Sequence, residues 1–213
     1  VSGKDVGHGP TGKGQKVKGG RKGWLYWLVK NLSRVFFFPF FCIETSGLEN
    51  LPKQRAFILL PKHQRWEDIP LLGIAAPRPL YYIAKYELFK TPLSEWFFKS
   101  LGGIPLNRQR PLESRRYLKA AVELLHEGEG VVVFPEGTYY RNKMGSGQEG
   151  MVRLILSRLS LPFIPVGLKY SKRRWRTRVQ IKFGRALYAD ASASSGKFLE
   201  LMMEEIAQLS GLG

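Results

Sequence analysis

A chain of 213 residues, 44% hydrophobic and 24% charged, is long enough for one complete core and too short for two comfortable domains. Its formal charge of +17, from 34 Lys and Arg against 17 Asp and Glu, implies an anionic partner: nucleic acid, acidic protein, phosphorylated ligand or anionic membrane. A single cysteine, Cys42, excludes an internal disulfide, and three histidines leave little scope for a zinc site.

Residues 1–22 hold seven glycines, no apolar run and six basic residues against one aspartate. They read as a disordered tail or leader outside the fold. Setting aside their net +5 leaves +12 on the remainder, so a positive surface survives. Trp24 to Cys42 then reads WLYWLVKNLSRVFFFPFFC, apolar except for Lys30, Asn31, Ser33 and Arg34. A spanning helix needs roughly 20 apolar residues, and here two central charges and Pro39 divide the run in two. The first piece places Trp24, Leu25, Trp27, Leu28 and Leu32 near a helical stripe. The second is a wedge of Phe36, Phe37, Phe38, Phe40 and Phe41. With Arg21, Lys22, Lys30 and Arg34 beside them, residues 23–42 predict an amphipathic, aromatic membrane anchor whose cations meet anionic headgroups. A helix pair docked on the core and a true span are the alternatives.

Ala56–Leu60 (AFILL) suits a buried strand ended by Pro61 and Lys62. Asp68–Ala76 reads as a helix with Pro70 tolerated in its first turn. Leu80–Ala84 is a second strand, Leu93–Lys99 a short helix, and Leu101–Leu106 an extended piece running into Asn107 and Arg108. Pro111–His126 has a period near 3.6 and stops at Gly128. VVVF, apolar without alternation, is the clearest parallel-type strand. Met151–Leu159 reads as a helix and Phe163–Leu168 as a strand. Val179, Ile181 and Phe183 alternate with polar residues as an edge or half-exposed strand would, and Ser171–Arg178 (SKRRWRTR) reads as a basic loop or strand edge. Lys197–Leu209 closes the chain as a helix. The fold class predicted is α/β, a mixed and mostly parallel sheet flanked by helices, preceded by the membrane-associated helical segment. No GxGxxG follows a strand and no GxxxxGK(S/T) occurs, so neither dinucleotide nor nucleoside triphosphate binding is supported.

His63 follows a buried strand in KHQRWED. An imidazole can take the proton of an attacking alcohol if a carboxylate fixes its tautomer, and Asp68 or Glu67 could supply it. Residues five apart lie roughly 140° apart on a regular helix, so His63 and Asp68 meet only if His63 is in the loop and Asp68 in the first turn. Arg108 directly follows an apolar segment, and its guanidinium suits phosphate or carboxylate. Lys85 stands at another strand end, and loops sharing one sheet edge make a natural ligand site. In FPEGT, the Glu136-Gly137-Thr138 corner can expose backbone N–H groups. Glu136 either binds a ligand hydroxyl or, the favoured role, positions a cation such as Arg108; Arg141 can complete a cation patch. Cys42 lies in the aromatic segment and no GxSxG elbow is present, which argues for direct transfer rather than an acyl-enzyme.

His63 and Asp68 in HQRWED, Arg108 in GGIPLNR, FPEGT at Phe134–Thr138 and IPVGL at Ile164–Leu168 occur in an order that resembles the glycerolipid acyltransferases, nearest the bacterial 1-acylglycerol-3-phosphate type. IAKYELFKTP, Ile83–Pro92, is also similar, and the resemblance covers Ile43 to Leu187. It implies a catalytic domain over residues 43–213 that moves an acyl group from acyl-CoA or acyl carrier protein to the hydroxyl of a lysophospholipid. On that resemblance His63 is the base, Asp68 its orienting carboxylate, Arg108, Glu136, Gly137 and Thr138 surround the phosphate, and Pro165 falls on the proline motif. No metal or redox cofactor is implied, the acyl thioester being a substrate. The partners implied are an anionic membrane surface, a lysophospholipid and the acyl donor, with no nucleic acid, at the cytoplasmic face of the cell membrane. The chain departs from the pattern where the family commonly has Asn and Ser around its histidine, here Lys62 and Arg65, and where it has EGTR, here Tyr139. Arg141 or Lys85 would then compensate, or the acceptor is another lysolipid, such as lyso-ornithine lipid or a glycolipid. A basic nucleic-acid-binding module, a thioester or lipid hydrolase and a noncatalytic scaffold are the readings from other classes.

Overall fold

The computed structural model describes residues 20–107, 111–150, 153, 161–189 and 194–213, with residues 111–116 described by their backbone alone. Seven strands form one sheet: β1 (Phe41–Ser46), β2 (Phe57–Pro61), β3 (Leu80–Lys85), β4 (Gly103–Leu106), β5 (Gly130–Val132), β6 (Phe163–Arg173) and β7 (Arg176–Phe183). Their order is β1-β7-β6-β2-β5-β3-β4. Every neighbouring pair is parallel except β6 and β7, which form an antiparallel hairpin. The helices are α1 (Gly23–Phe37), α2 (Asp68–Ala75), α3 (Pro92–Ser100), α4 (Pro111–His126) and α5 (Ser195–Ser210).

β2 is central, and all five of its residues are buried. The pleat sends Ile58 and Leu60 to one face, where they meet Ala121, Leu124 and Leu125 of α4 and Phe198, Met202 and Ile206 of α5. Phe57 and Leu59 go to the other, against Leu71 and Leu72 of α2 and Phe37 of α1. Each such apolar side chain contributes about 1.5–3 kcal/mol by leaving water. Side-chain chemistry marks the helix ends. Thr91 and Ser94 form a capping box on α3, Ser194 accepts from Lys197 N on α5, and Gly211 closes α5 with φ of 68°.

Three expectations change at the N-terminal end. Residues 20–22 do not lie outside the fold: Arg21 pairs with Glu129 at 3.0 Å and sits over the Tyr81 ring, and Lys22 N donates to Ser100 O. Pro39 does not divide two helical pieces, because a single helix runs to Phe37 and Pro39 lies in the turn that follows. Phe41 and Cys42 belong to β1, which pairs with β7 from Phe41↔Thr177 to Ser46↔Lys182. That pairing removes β7 from the edge and puts β1 there instead. α1 is amphipathic in an unusual sense. Leu25, Tyr26 and Phe37 face the core, while Trp24, Trp27, Leu28, Leu32, Val35 and Phe36 are exposed, as are Phe38 and Phe40 beyond it. Lys30 does not face outward: it is buried, and its ammonium donates to Ala76 O at 2.6 Å. Burial, with the nearby Arg34 charge, holds its pKa below that of a free lysine. No described helix is long and apolar enough to cross a membrane. The helix expected over Met151–Leu159 lies, apart from Arg153, outside the described residues.

Candidate active site at the carboxyl edge of the sheet

The parallel strands end together, and the loops leaving β2, β3 and β5 gather at that edge. His63 stands two residues past β2, and Asp68 is the first residue of α2. This is the geometry required for residues five apart to meet: His63 Nδ1 lies 3.1 Å from Asp68 Oδ2. Asp68 is fully buried, and the same oxygen accepts from Gln64 N at 2.6 Å and Arg65 N at 2.7 Å. Its other oxygen accepts from the Tyr170 hydroxyl, contributed by β6. Burial first, then the Asp68 charge and this hydrogen bond, push the Tyr170 phenol far above its ordinary pKa, so it stays a donor. A carboxylate already receiving three other donors is an acceptor toward His63, so Nδ1 carries the proton and Nε2 is left with a lone pair. Nε2 makes no hydrogen bond among the described residues. The ring stacks on Phe134 at 3.9 Å between centroids, and Tyr139 meets it edge-on at 4.4 Å.

The loop after β5 is fastened beneath this pair. Glu136 is buried, and its two oxygens lie 2.8 and 2.7 Å from the Lys62 ammonium. His63 N donates to one oxygen at 3.0 Å and Gly145 N to the other at 2.7 Å. Among the described residues, the cation that Glu136 positions is Lys62, and the carboxylate is buried. The reason is local: Lys62 follows the central strand into the interior, where an unpaired ammonium would be costly. Lys62 also donates to Tyr140 O, while burial pulls its pKa down against the opposing pull of Glu136. Gln64 adds a tie, donating to Leu168 O and accepting from Asn142 N.

Gly137 turns the corner with φ of 68°, a left-handed conformation that favours glycine, and Thr138 after it is exposed. Lys85, ending β3, and Arg141 are exposed cations. Pro165 lies inside β6, registered against Leu60. Arg108 lies outside the described residues, just beyond β4 and Asn107. No described cluster of His, Cys, Asp and Glu could hold a metal ion. Reasoning from sequence missed Tyr170, Phe134, Gln64 and the role of Lys62. For Lys62 a signal existed, since a lysine directly after an all-apolar strand needs a buried anion. For Tyr170, on a strand 102 residues from Asp68, none did.

A mostly parallel α/β sheet presents an Asp-held histidine at its carboxyl edge, an arrangement suited to general-base chemistry, and comparison with known proteins gives its family. The acyltransferase family profile matches residues 42–169. The chain belongs to the acyltransferase family. A 1-acyl-sn-glycerol-3-phosphate acyltransferase of Pseudomonas aeruginosa is 32% identical over 157 residues, covering 69% of this chain and 60% of the relative. A lyso-ornithine lipid O-acyltransferase of the same organism is 35% identical over 98 residues, covering 46% of this chain and 36% of the relative. The crystal structure of the 1-acyl-sn-glycerophosphate acyltransferase PlsC from Thermotoga maritima superposes with a TM-score of 0.69 at 26% identity, covering 87% of this chain and 78% of that one. The chain spans about half the length of the curated relatives it matches.

Proposed function

We propose that this chain is an O-acyltransferase that moves a fatty acyl group from an acyl-CoA or acyl carrier protein thioester to the free hydroxyl of 1-acylglycerol-3-phosphate, giving phosphatidic acid. The observation that carries the reading is the contact of 3.1 Å between His63 Nδ1 and buried Asp68, with Nε2 left as a base at the loop edge. The names of the relatives supply the substrate class. The acceptor hydroxyl attacks the thioester carbonyl while Nε2 takes its proton, and Asp68 stabilises the imidazolium. The tetrahedral intermediate collapses with cleavage of the C–S bond, and the imidazolium returns the proton to the leaving thiolate. Exposed Lys85 and Arg141 attract the acceptor phosphate from beside the site. Arg108 serves the same phosphate, and exposed Thr138, after the Gly137 turn, offers its hydroxyl to it. Glu136 acts behind them by holding the His63 backbone. The outward apolar stripe of α1, continued by Phe38 and Phe40, holds the protein on the bilayer from the cytoplasmic side, so that a lysolipid reaches the site without leaving the membrane.

A second acceptor is favoured by Tyr139, whose ring meets His63 where the family commonly has arginine. A headgroup without a phosphate at that point, as in lyso-ornithine lipid, suits a tyrosine there. Mass spectrometry of products from a panel of lysolipids with both thioester donors tests the reading. Phosphatidic acid formation that falls at least ~100-fold in His63→Ala is expected. Near-normal turnover by that variant, once shown to be folded, would overturn the role of His63.

A further inference from the structure

The basic stretch Ser171–Arg178 takes no part in the catalytic edge just described, yet it is built as a projecting hairpin. β6 runs past β2 and pairs with β7 through Lys172↔Thr177 and Arg173↔Arg176, leaving Arg174 and Trp175 as the two-residue tip just beyond the start of β1 at Phe41↔Thr177. Trp175 is 85% exposed. Arg174 has φ of 44°, a left-handed conformation that glycine or asparagine adopts at lower cost. An indole and a guanidinium thus occupy the positions where turn chemistry alone calls for small residues. Lys172, Arg173 and Arg174 are exposed, and no salt bridge ties any of them among the described residues. Arg174 lies 5.8 Å from the Trp175 ring centroid.

Topology fixes where this tip points. β6 is parallel to β2, so its far end leaves the sheet at the same edge as His63. Tyr170 of β6 holds Asp68, and the tip stands four residues further, about 13 Å along the strand. β1 begins at that edge too, which brings the aromatic turn after α1 beside the hairpin. Arg176 donates to the carbonyls of Phe38 and Phe41 and lies 4.7 Å from the Phe38 ring centroid. One edge therefore carries His63, Phe38 and Phe40, and a tryptophan beside three exposed cations.

We propose that the β6–β7 tip is a second membrane contact, with Trp175 entering the headgroup region and Lys172, Arg173 and Arg174 binding anionic lipid. Tryptophan favours the water–hydrocarbon boundary, and each Lys or Arg close to an anionic leaflet contributes about 1 kcal/mol, a fivefold change in binding. One anchor point lets a body swivel, whereas two fix which edge faces the lipid. The inference rests on the lipid-directed reading of the site and adds the surface that orients it.

The test is sedimentation of the protein with phosphatidylglycerol or phosphatidylcholine vesicles, without acyl donor. In the variant Arg174→Gly with Trp175→Ser, a Gly-Ser turn suits the left-handed first position, so the hairpin is not unfolded by the change. Binding to phosphatidylglycerol vesicles falls at least ~10-fold, with a smaller change on phosphatidylcholine. Lys172→Gln with Arg173→Gln, which leaves the turn untouched, lowers phosphatidylglycerol binding further. Turnover of lysophosphatidate dispersed in detergent stays at the parent level. Parent-like binding of both variants to phosphatidylglycerol would overturn the proposal, as would loss of binding to a polyuridine strand with vesicle binding intact. Because binding is read without turnover, an inactive parent protein would sink the acyltransferase reading alone.

Discussion

Asp68 accepts from His63, from two backbone amides of its own loop and from Tyr170, so its orientation is determined by four donors rather than one. Replacing Tyr170 by Phe leaves one Asp68 oxygen buried without its partner, at a cost of about 1–3 kcal/mol in urea unfolding. The same change loosens the carboxylate that orients His63, so kcat should fall with little change in the acceptor KM; an unchanged kcat would mean that Tyr170 acts on stability alone. At the Lys62–Glu136 pair, Lys62→Met should destabilise the fold by about 3–5 kcal/mol, since it strands a buried carboxylate. Pairing it with Glu136→Leu should recover much of that loss in chemical denaturation. Failure to recover would show that the amides of His63 and Gly145, which also need Glu136, dominate. The His63–Asp68 pair was legible because both residues sit at predicted element boundaries, where spacing and chemistry agree. The pairing of Glu136 with Lys62 was not, because nothing local reveals that this lysine lies inside.

Among the elements, α5 shows how closely two surfaces meet. A Cβ added at Gly167 of β6 would lie 2.4 Å from the backbone of Leu209. Gly167→Ala should therefore push α5 away from the sheet and lower stability by about 1–3 kcal/mol; an unchanged thermal midpoint would mean that the helix end yields freely. The order β2, α2, β3, α3, β4, α4, β5 follows from apolar runs interleaved with 3.6-period segments, and it is visible in the sequence for that reason. β1 is not. Phe41 and Cys42 continue an aromatic run in sequence, and their strand partners Thr177 and Arg178 are supplied by a hairpin more than a hundred residues away. Alternation over Val179–Phe183 reported a strand with one face less buried than the other, which is true of β7. It could not report that β1 occupies its outer side. Likewise, the apolar stripe of α1 predicted amphipathicity, but Lys30 was assigned outward because nothing local reveals the Ala76 carbonyl it meets.

At the scale of the molecule, the proposed membrane attachment divides between the +17 charge and the exposed aromatics. Replacing Trp24 and Phe36 by Ser removes apolar contact without touching the hairpin, and should weaken binding to neutral and anionic vesicles alike. Raising salt from 0.1 to 1 M shortens the screening length from about 10 to 3 Å. It should erode the preference for anionic vesicles while leaving the α1 contribution in place. Equal salt sensitivity on neutral and anionic vesicles would contradict that division.

The Glu136 carboxylate grips the backbone of His63, 73 positions earlier in the chain. During synthesis the histidine and its aspartate leave the ribosome together, but the clamp beneath them follows only after three further strands, in the loop beyond β5. A truncated product ending before that loop carries the whole HQRWED motif with an unbalanced lysine under it. Such a fragment should be unable to hold its histidine in place.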